Sequence, residues 1–276
     1  MTWTVAQALR VGTDRLRAVT ETPRLEAEIL LAHVTGLGRT VLLAHPERAL
    51  GPEERKEYER LLACRATGYP LPYLTGRVEF YGLEFRVTPD VLIPRPETEV
   101  LVDRALTFRP HTVIDVGTGS GCIAIALAVH LPEARFWATD LSFAALRVAQ
   151  ENAHRHAVAN RICFLQADLL SPLTGPVDLV VSNPPYVAEE EWISLPVSVR
   201  HEPALALKGG ENGLGVIWRL LAEAPRLLRS GGTLLVEIGA TQGERVRALA
   251  QDLIPGARIS LLPDLAGHDR VLEVVL

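Results

Sequence analysis

Asp115-Val116-Gly117-Thr118-Gly119-Ser120-Gly121 stands where an apolar strand, read over residues 112–116, gives way to a helix beginning near Cys122. Glycines at alternate positions let the chain turn tightly and bring its backbone against a ligand. The first turn of the following helix offers unpaired N–H groups and the positive end of its dipole to an anion, either a phosphate or a carboxylate. The dinucleotide fingerprint G-x-G-x-x-G needs its third glycine at position 122, where a cysteine stands; here it comes one residue early, at Gly121. A nicotinamide cofactor is therefore disfavoured. Taken alone, the loop also fits a plain strand-to-helix turn.

From residue 91 onward strands and helices alternate, which predicts a mostly parallel sheet with helices on both faces. The strands are placed at 112–116, 135–139, 161–165, 177–181, 233–238, 258–262 and 271–275. The glycine loop resembles that of the class I, Rossmann-like methyltransferases that use S-adenosyl-L-methionine. In them the positions of Gly117, Thr118, Gly119, Ser120 and Gly121 receive the methionine portion of the cofactor. Asp140 ends the next strand, where a carboxylate can accept from both ribose hydroxyls, or cap the helix after Leu141. Asp168, in Gln166-Ala167-Asp168, lies at the same edge one strand on. The resemblance gives it the adenine amino group, and capping the next turn is its alternative.

Asn183-Pro184-Pro185-Tyr186 closes the strand at 177–181. Proline has a fixed φ and no N–H, so Asn183 and Pro184 are each followed by a residue that cannot donate, and their carbonyls are free to accept from a ligand. The Asn183 side chain adds an acceptor and Tyr186 a flat face. Together Asn183, Pro184, Pro185 and Tyr186 suit a planar conjugated –NH2, whether a carboxamide or the exocyclic amine of a nucleobase. A proline-rich turn is the bland alternative. Asn183 also adjoins the expected cofactor loop. Glu237, ending a later strand, either borders the pocket or makes a structural hydrogen bond.

The first part of the chain reads as a small helical bundle, residues 1–75. Thr22-Pro23 looks like an N-cap and first helical position, with Leu25, Ile29 and Ala32 on one face and Gly36 as the stop; Gly51-Pro52 opens a helix with Tyr58, Leu61 and Leu62 as its apolar stripe. A change to period two around Tyr81-Gly82 predicts a connecting β-hairpin over 76–90, leaving 91–276 as the methyltransferase domain.

The 276 residues carry a formal net charge of −5, which argues against a protein whose main business is holding nucleic acid. Composition, 48% hydrophobic and 22% charged, is that of an ordinary globular protein. The longest apolar run, 122–129, is too short for a membrane span, and the N-terminus lacks the pattern of a signal peptide, so a cytoplasmic location is expected. Cys64, Cys122 and Cys163 lie far apart in apolar contexts and read as buried free thiols. The eight histidines show no metal-type pairing, and only His201 falls near the suspected site; no metal is expected.

Order and content over essentially the whole chain resemble the release factor glutamine N5-methyltransferases, the HemK/PrmC family. The helical first domain, Pro94-Arg95-Pro96-Glu97-Thr98-Glu99, the Asn-Pro-Pro-Tyr clamp and His201-Glu202-Pro203-Ala204-Leu205 with Gly209-Gly210 and Gly213-Leu214 carry the likeness. The resemblance implies methyl transfer from S-adenosyl-L-methionine to the glutamine amide of a Gly-Gly-Gln loop in class 1 peptide chain release factors. Asn183, Pro184 and Tyr186 would hold that amide without a nucleophile or general base, and the helical domain would grip the factor. Competing readings are a methyltransferase acting on a ribosomal-protein glutamine, one acting on a nucleic-acid amine, and a catalytically silent binding module. Judged without the rest, residues 95–99 also fit a loop of ordinary solvated charges.

Overall fold

The computed structural model describes residues 3–276, which divide into two compact units: residues up to Gly76 with Pro196–His201, and Arg77–Leu195 with Glu202–Leu276. The first unit holds α1 (Val5–Leu16), α2 (Pro23–Thr35), α3 (Arg39–Ala44), α4 (Pro52–Ala66) and a short α5 (Leu71–Thr75). A capping box opens α1: Thr4 Oγ1 accepts the Gln7 N–H at 3.3 Å and Gln7 Oε1 accepts the Thr4 N–H at 2.9 Å. Gly36 ends α2 with φ 68°, as its position suggests.

Two expectations for α2 are corrected. Thr22 makes no side-chain cap, its own N–H being taken by Thr20 Oγ1 at 3.2 Å. The buried face is Ala27, Leu30 and Leu31, while Leu25 is exposed. The helix is turned because Glu26 points inward to the Arg65 guanidinium of α4, at 2.6 and 3.1 Å. A bidentate partner is what allows a carboxylate inside, and an apolar pattern does not see it. On α4, Tyr58, Leu61 and Leu62 are buried as read. The Tyr58 hydroxyl lies 3.3 Å from the Ala8 carbonyl and 3.2 Å from that of Ala27, joining three helices. Gly12 leaves room for it: a Cβ there would sit 2.2 Å from the hydroxyl oxygen.

The second unit begins with β1 (Arg77–Phe80) and β2 (Leu83–Arg86), paired antiparallel around Tyr81 and Gly82 with φ 52° and 70°, the left-handed pair of a tight hairpin turn. There follow α6 (Glu99–Thr107), β3 (Thr112–Val116), α7 (Cys122–His130), β4 (Arg135–Asp140), α8 (Phe143–Arg155), β5 (Ile162–Gln166), β6 (Val177–Ser182), α9 (Gly215–Glu223), β7 (Leu228–Glu237), α10 (Gly243–Leu253), β8 (Arg258–Pro263) and β9 (Asp269–Val275). The hairpin, expected as a connector, sends Phe80 and Phe85 into the same core as α6 and α7.

Sheet order is β5-β4-β3-β6-β7-β9-β8, parallel through β7, with β9 antiparallel to both its neighbours. Side chains alternate between two apolar faces. Val113, Leu179 and Leu235 meet α6 and α7, while Ile114, Val180 and Leu234 meet α9 and α10. Strand β7 starts five residues before the expected 233 and runs through the glycine pair 231–232. Cys163 is exposed on edge strand β5 rather than buried; Cys64 and Cys122 are partly buried. Among the described residues no helix is long and apolar enough to cross a membrane. Strand order reverses between β3 and β6, and this reversal opens a crevice at the carboxyl edge of the sheet.

Candidate active site

A cavity of about 410 Å³ occupies that crevice. The carboxyl ends of β5, β4, β3 and β6 and the loops after them bring Asp168, Asp140, Gly117 with Gly119, and Asn183 to it in spatial order. Two further walls were not legible in the sequence: residues 89–92, which follow the hairpin, and residues 203–206, with Lys208 and Arg219 beside them.

Of the glycine loop, Gly117 and Gly119 line the cavity while Thr118, Ser120 and Gly121 do not. Thr118 is buried and donates to Asp115 Oδ2 at 2.6 Å, and the Ala124 N–H reaches the same oxygen at 3.2 Å. Asp115 thus braces the loop from beneath, and its burial pushes its carboxyl up to about 7. The Ser120 carbonyl is taken by Asn152 Nδ2 of α8 at 2.9 Å; the same side chain holds Arg86 of β2 through its N–H and carbonyl. Gly121, φ 82°, serves helix packing: a Cβ would lie 2.8 Å from Ile125 Cδ1 and 3.1 Å from Ala149 Cβ.

Asp140 is held at both oxygens, Oδ2 by the Gly119 N–H at 2.9 Å and Oδ1 by the Ser142 N–H at 2.8 Å. Each oxygen keeps a second lone pair. Burial raises its pKa against those two N–H groups. The cap of α8 is Ser142, whose side chain accepts from the Ala145 N–H, so Asp140 is not the cap. Asp168 pairs through Oδ2 with Arg219 at 2.8 Å, both on the cavity wall, and its Oδ1 is buried without a hydrogen-bond partner.

At the end of β6, Asn183 Nδ2 donates to the hydroxyl of Thr98 at 3.1 Å. Among the described residues nothing donates to Asn183 Oδ1 or to the Pro184 carbonyl. Pro185 reaches the cavity beside Asn183; Pro184 and Tyr186 are not on its wall. The Tyr186 hydroxyl instead donates to Glu237 Oε1 at 3.3 Å. Glu237 lies off the wall too, almost fully buried at 1% exposure. Burial pushes its carboxyl up to about 7, opposed by the Thr98 hydroxyl, Arg270 and Tyr186. Burial likewise raises the Tyr186 phenol, with Glu237 adding to it.

Residues 95–99 are not a loop of solvated charges. Arg95 pairs with buried Glu202, whose Oε2 accepts the Ile93 N–H at 3.0 Å, and Glu99 Oε1 takes the Tyr81 N–H at 2.8 Å. Gly209 and Gly213 stand behind the clamp: a Cβ at Gly209 would be 2.7 Å from the Pro185 carbonyl oxygen, and one at Gly213 2.2 Å from that of Tyr186. Gln242 adds a hydrogen bond to the Tyr186 carbonyl at 2.9 Å. His201 belongs to the first unit, edge-on to Tyr69 with ring centroids 5.1 Å apart, and is not on the cavity wall.

Known proteins are similar to this chain in both of its parts. Residues 7–76 match the family model described as the PrmC N-terminal domain, and residues 96–197 that of the methyltransferase small domain. The release factor glutamine methyltransferase of Moorella thermoacetica is 48% identical over 97% of this chain and 96% of its own length. That of Cereibacter sphaeroides is 44% identical over 98% of each. The crystal structure of a methyltransferase from Pyrococcus furiosus superposes with a TM-score of 0.56 at 16% identity, covering 71% of this chain and 90% of its own, a likeness of fold.

Proposed function

The chain belongs to the release factor glutamine methyltransferases, and from that premise we propose that its cavity takes S-adenosyl-L-methionine and presents it to a glutamine amide of a class 1 release factor, the glutamine of a Gly-Gly-Gln loop. The residues fit that cofactor. The glycine loop leaves backbone exposed for the methionine portion, Asp140 keeps lone pairs for two ribose hydroxyls, and the orphaned Asp168 Oδ1 is an acceptor for the adenine amino group.

When bound, S-adenosyl-L-methionine supplies a methyl group on a sulfonium, a good leaving group. The chain's task is to hold the acceptor. An amide nitrogen is a poor nucleophile because its lone pair is delocalised into the carbonyl. Asn183 Oδ1, on the cavity wall, accepts one N–H of the substrate, and the Pro184 carbonyl, off that wall but without an internal donor among the described residues, accepts the other; together they orient its plane and favour the charge that develops on nitrogen. The methylated nitrogen is acidic, so no general base is required. Tyr186 acts from behind, tied to Glu237. The helical unit is the part that grips the release factor, in the cytoplasm where termination occurs.

The observation that carries this reading is Asn183 Oδ1, an acceptor without an internal donor, at the strand end next to the glycine loop. Labelled S-adenosyl-L-methionine, incubated separately with intact release factor, its Gln-to-Ala loop variant, and DNA or RNA, should label the intact factor alone. Label in nucleic acid and not in the factor would overturn it.

A further inference from the structure

Asp168 lies just past β5, in a turn that is fastened from a distant part of the chain. Arg219 of α9 donates through Nη2 to Asp168 Oδ2 at 2.8 Å. Glu223, one turn further along the same helix, accepts the Leu170 N–H at 3.3 Å. Arg226, in the turn that follows, donates to the carbonyls of Leu170 and Leu173 at 2.6 and 2.8 Å. The spacing i, i+4, i+7 is that of one helical stripe, distinct from the apolar face of Ile217, Leu220 and Leu221. Leu169, between the first two of these holds, has φ 51°, a left-handed conformation that a leucine keeps only where its surroundings fix it.

A free carboxylate turns about its terminal torsion and exchanges its two oxygens. With Oδ2 on Arg219, Oδ1 is the oxygen left over, and it is buried without a hydrogen-bond partner. The side chains of Arg219 and Asp168 are 44% and 47% exposed, so the ion pair by itself adds little to stability. Its effect is to aim the carboxylate. Asp168, Leu169 and Arg219 all line the cavity, and an ionised carboxylate only accepts, so Oδ1 suits a donor and is mismatched to the bare ring nitrogens of a base. We infer that Arg219 is a positioning residue that determines base specificity, fixing Asp168 Oδ1 as the acceptor for a purine carrying a 6-amino group. This deepens the cofactor role proposed for Asp168 and rests on it.

The test is calorimetry with S-adenosylhomocysteine, which binds without turnover, and with its analogue carrying hydrogen in place of the 6-amino group. The parent should favour the amino compound by about 10- to 100-fold, the worth of a hydrogen bond to a charged acceptor that the analogue leaves unpaired. Arg219→Met should lose about 10-fold of that preference, through weaker binding of the amino compound with the analogue nearly unchanged. Arg219→Lys, whose ammonium still reaches toward Oδ2, should recover most of it. The melting temperature of both variants should stay near the parent's, since the pair is half exposed. In turnover, Arg219→Met should raise KM for S-adenosyl-L-methionine and leave kcat at saturation little changed. An undiminished preference in Arg219→Met, whether both compounds bind as before or both bind more weakly, overturns the inference while the cofactor assignment stands. A parent that binds neither compound, or both alike, overturns the role of Asp168 and the inference with it.

Discussion

Arg95 and Glu202, 107 residues apart, form an ion pair in which the carboxylate is almost wholly buried and also takes the Ile93 N–H. The pair binds the segment between β2 and α6 to residues 203–206, one wall of the cavity. Glu202→Ala strands a guanidinium and a backbone N–H together. It should cost about 2–3 kcal/mol in urea denaturation, less than a fully buried pair because Arg95 is a third exposed, and should lower kcat/KM by loosening that wall.

Asn183→Ala removes an acceptor that acts on the developing charge, and among the described residues gives up only its hydrogen bond to the Thr98 hydroxyl. Turnover should fall by about 10²- to 10³-fold while the melting temperature stays near the parent's. Near-normal kcat/KM would remove Asn183 from its role.

Asp140→Ala should weaken S-adenosyl-L-methionine in calorimetry by roughly 10- to 100-fold, the worth of hydrogen bonds to a charged acceptor, while the affinity for release factor alone is retained. The variant also frees the Gly119 N–H, so the loss includes slackening of the glycine loop.

Glu237 carries a pH signature with a definite sign. Its carboxyl is raised from 4.5 to about 7 by burial, with Thr98, Arg270 and Tyr186 opposing and Glu97 reinforcing the rise. Between those values the folded protein holds a proton that the unfolded chain has lost, so this group's contribution to stability falls as pH rises through the window and levels off above it. The span is about 3 kcal/mol, and Glu237→Gln should lack it, gaining on the parent by that order between about pH 4 and about pH 8 in denaturation experiments. Asp115 titrates in the same window in both proteins and cancels in the difference. Activity runs the other way: parent kcat/KM should fall as pH drops through about 7, because a protonated Glu237 holds the Tyr186 hydroxyl less firmly.

In the helical unit, Arg65→Met should destabilise by about 3–5 kcal/mol by leaving Glu26 charged and buried, whereas replacing both residues with apolar ones of similar volume should cost far less. Thermal denaturation of Arg65→Met and of the double replacement decides it.

The parts of this molecule visible in the sequence are those with a local signal. The glycine loop, Asp140, Asp168 and Asn183 announce themselves because each ends an apolar strand, and a parallel sheet brings such ends to one edge whatever the intervening chain does. What stayed hidden depends on pairing across long separations. Thr98 reads as one more polar residue in a charged stretch until Asn183, 85 positions on, is placed beside it. Glu26 gives no local sign of burial until Arg65 is placed beside it, and Tyr186 was expected on the cavity wall because nothing local pairs it with Glu237, 51 positions on. The walls at 89–92 and 203–206 carry no periodicity and are defined only by the cavity they close.

Gly209 and Gly213 have no space for even a methyl group because main chain of residues 185–186 lies directly against them. At Pro185 and Tyr186 the clamp is therefore seated on main chain, so its depth there cannot be adjusted by enlarging residue 209 or 213. Any side chain there displaces the main chain that follows the acceptors. Drift toward a different acceptor substrate would have to proceed through the opposite walls of the cavity, leaving the clamp as a fixed datum against which they vary.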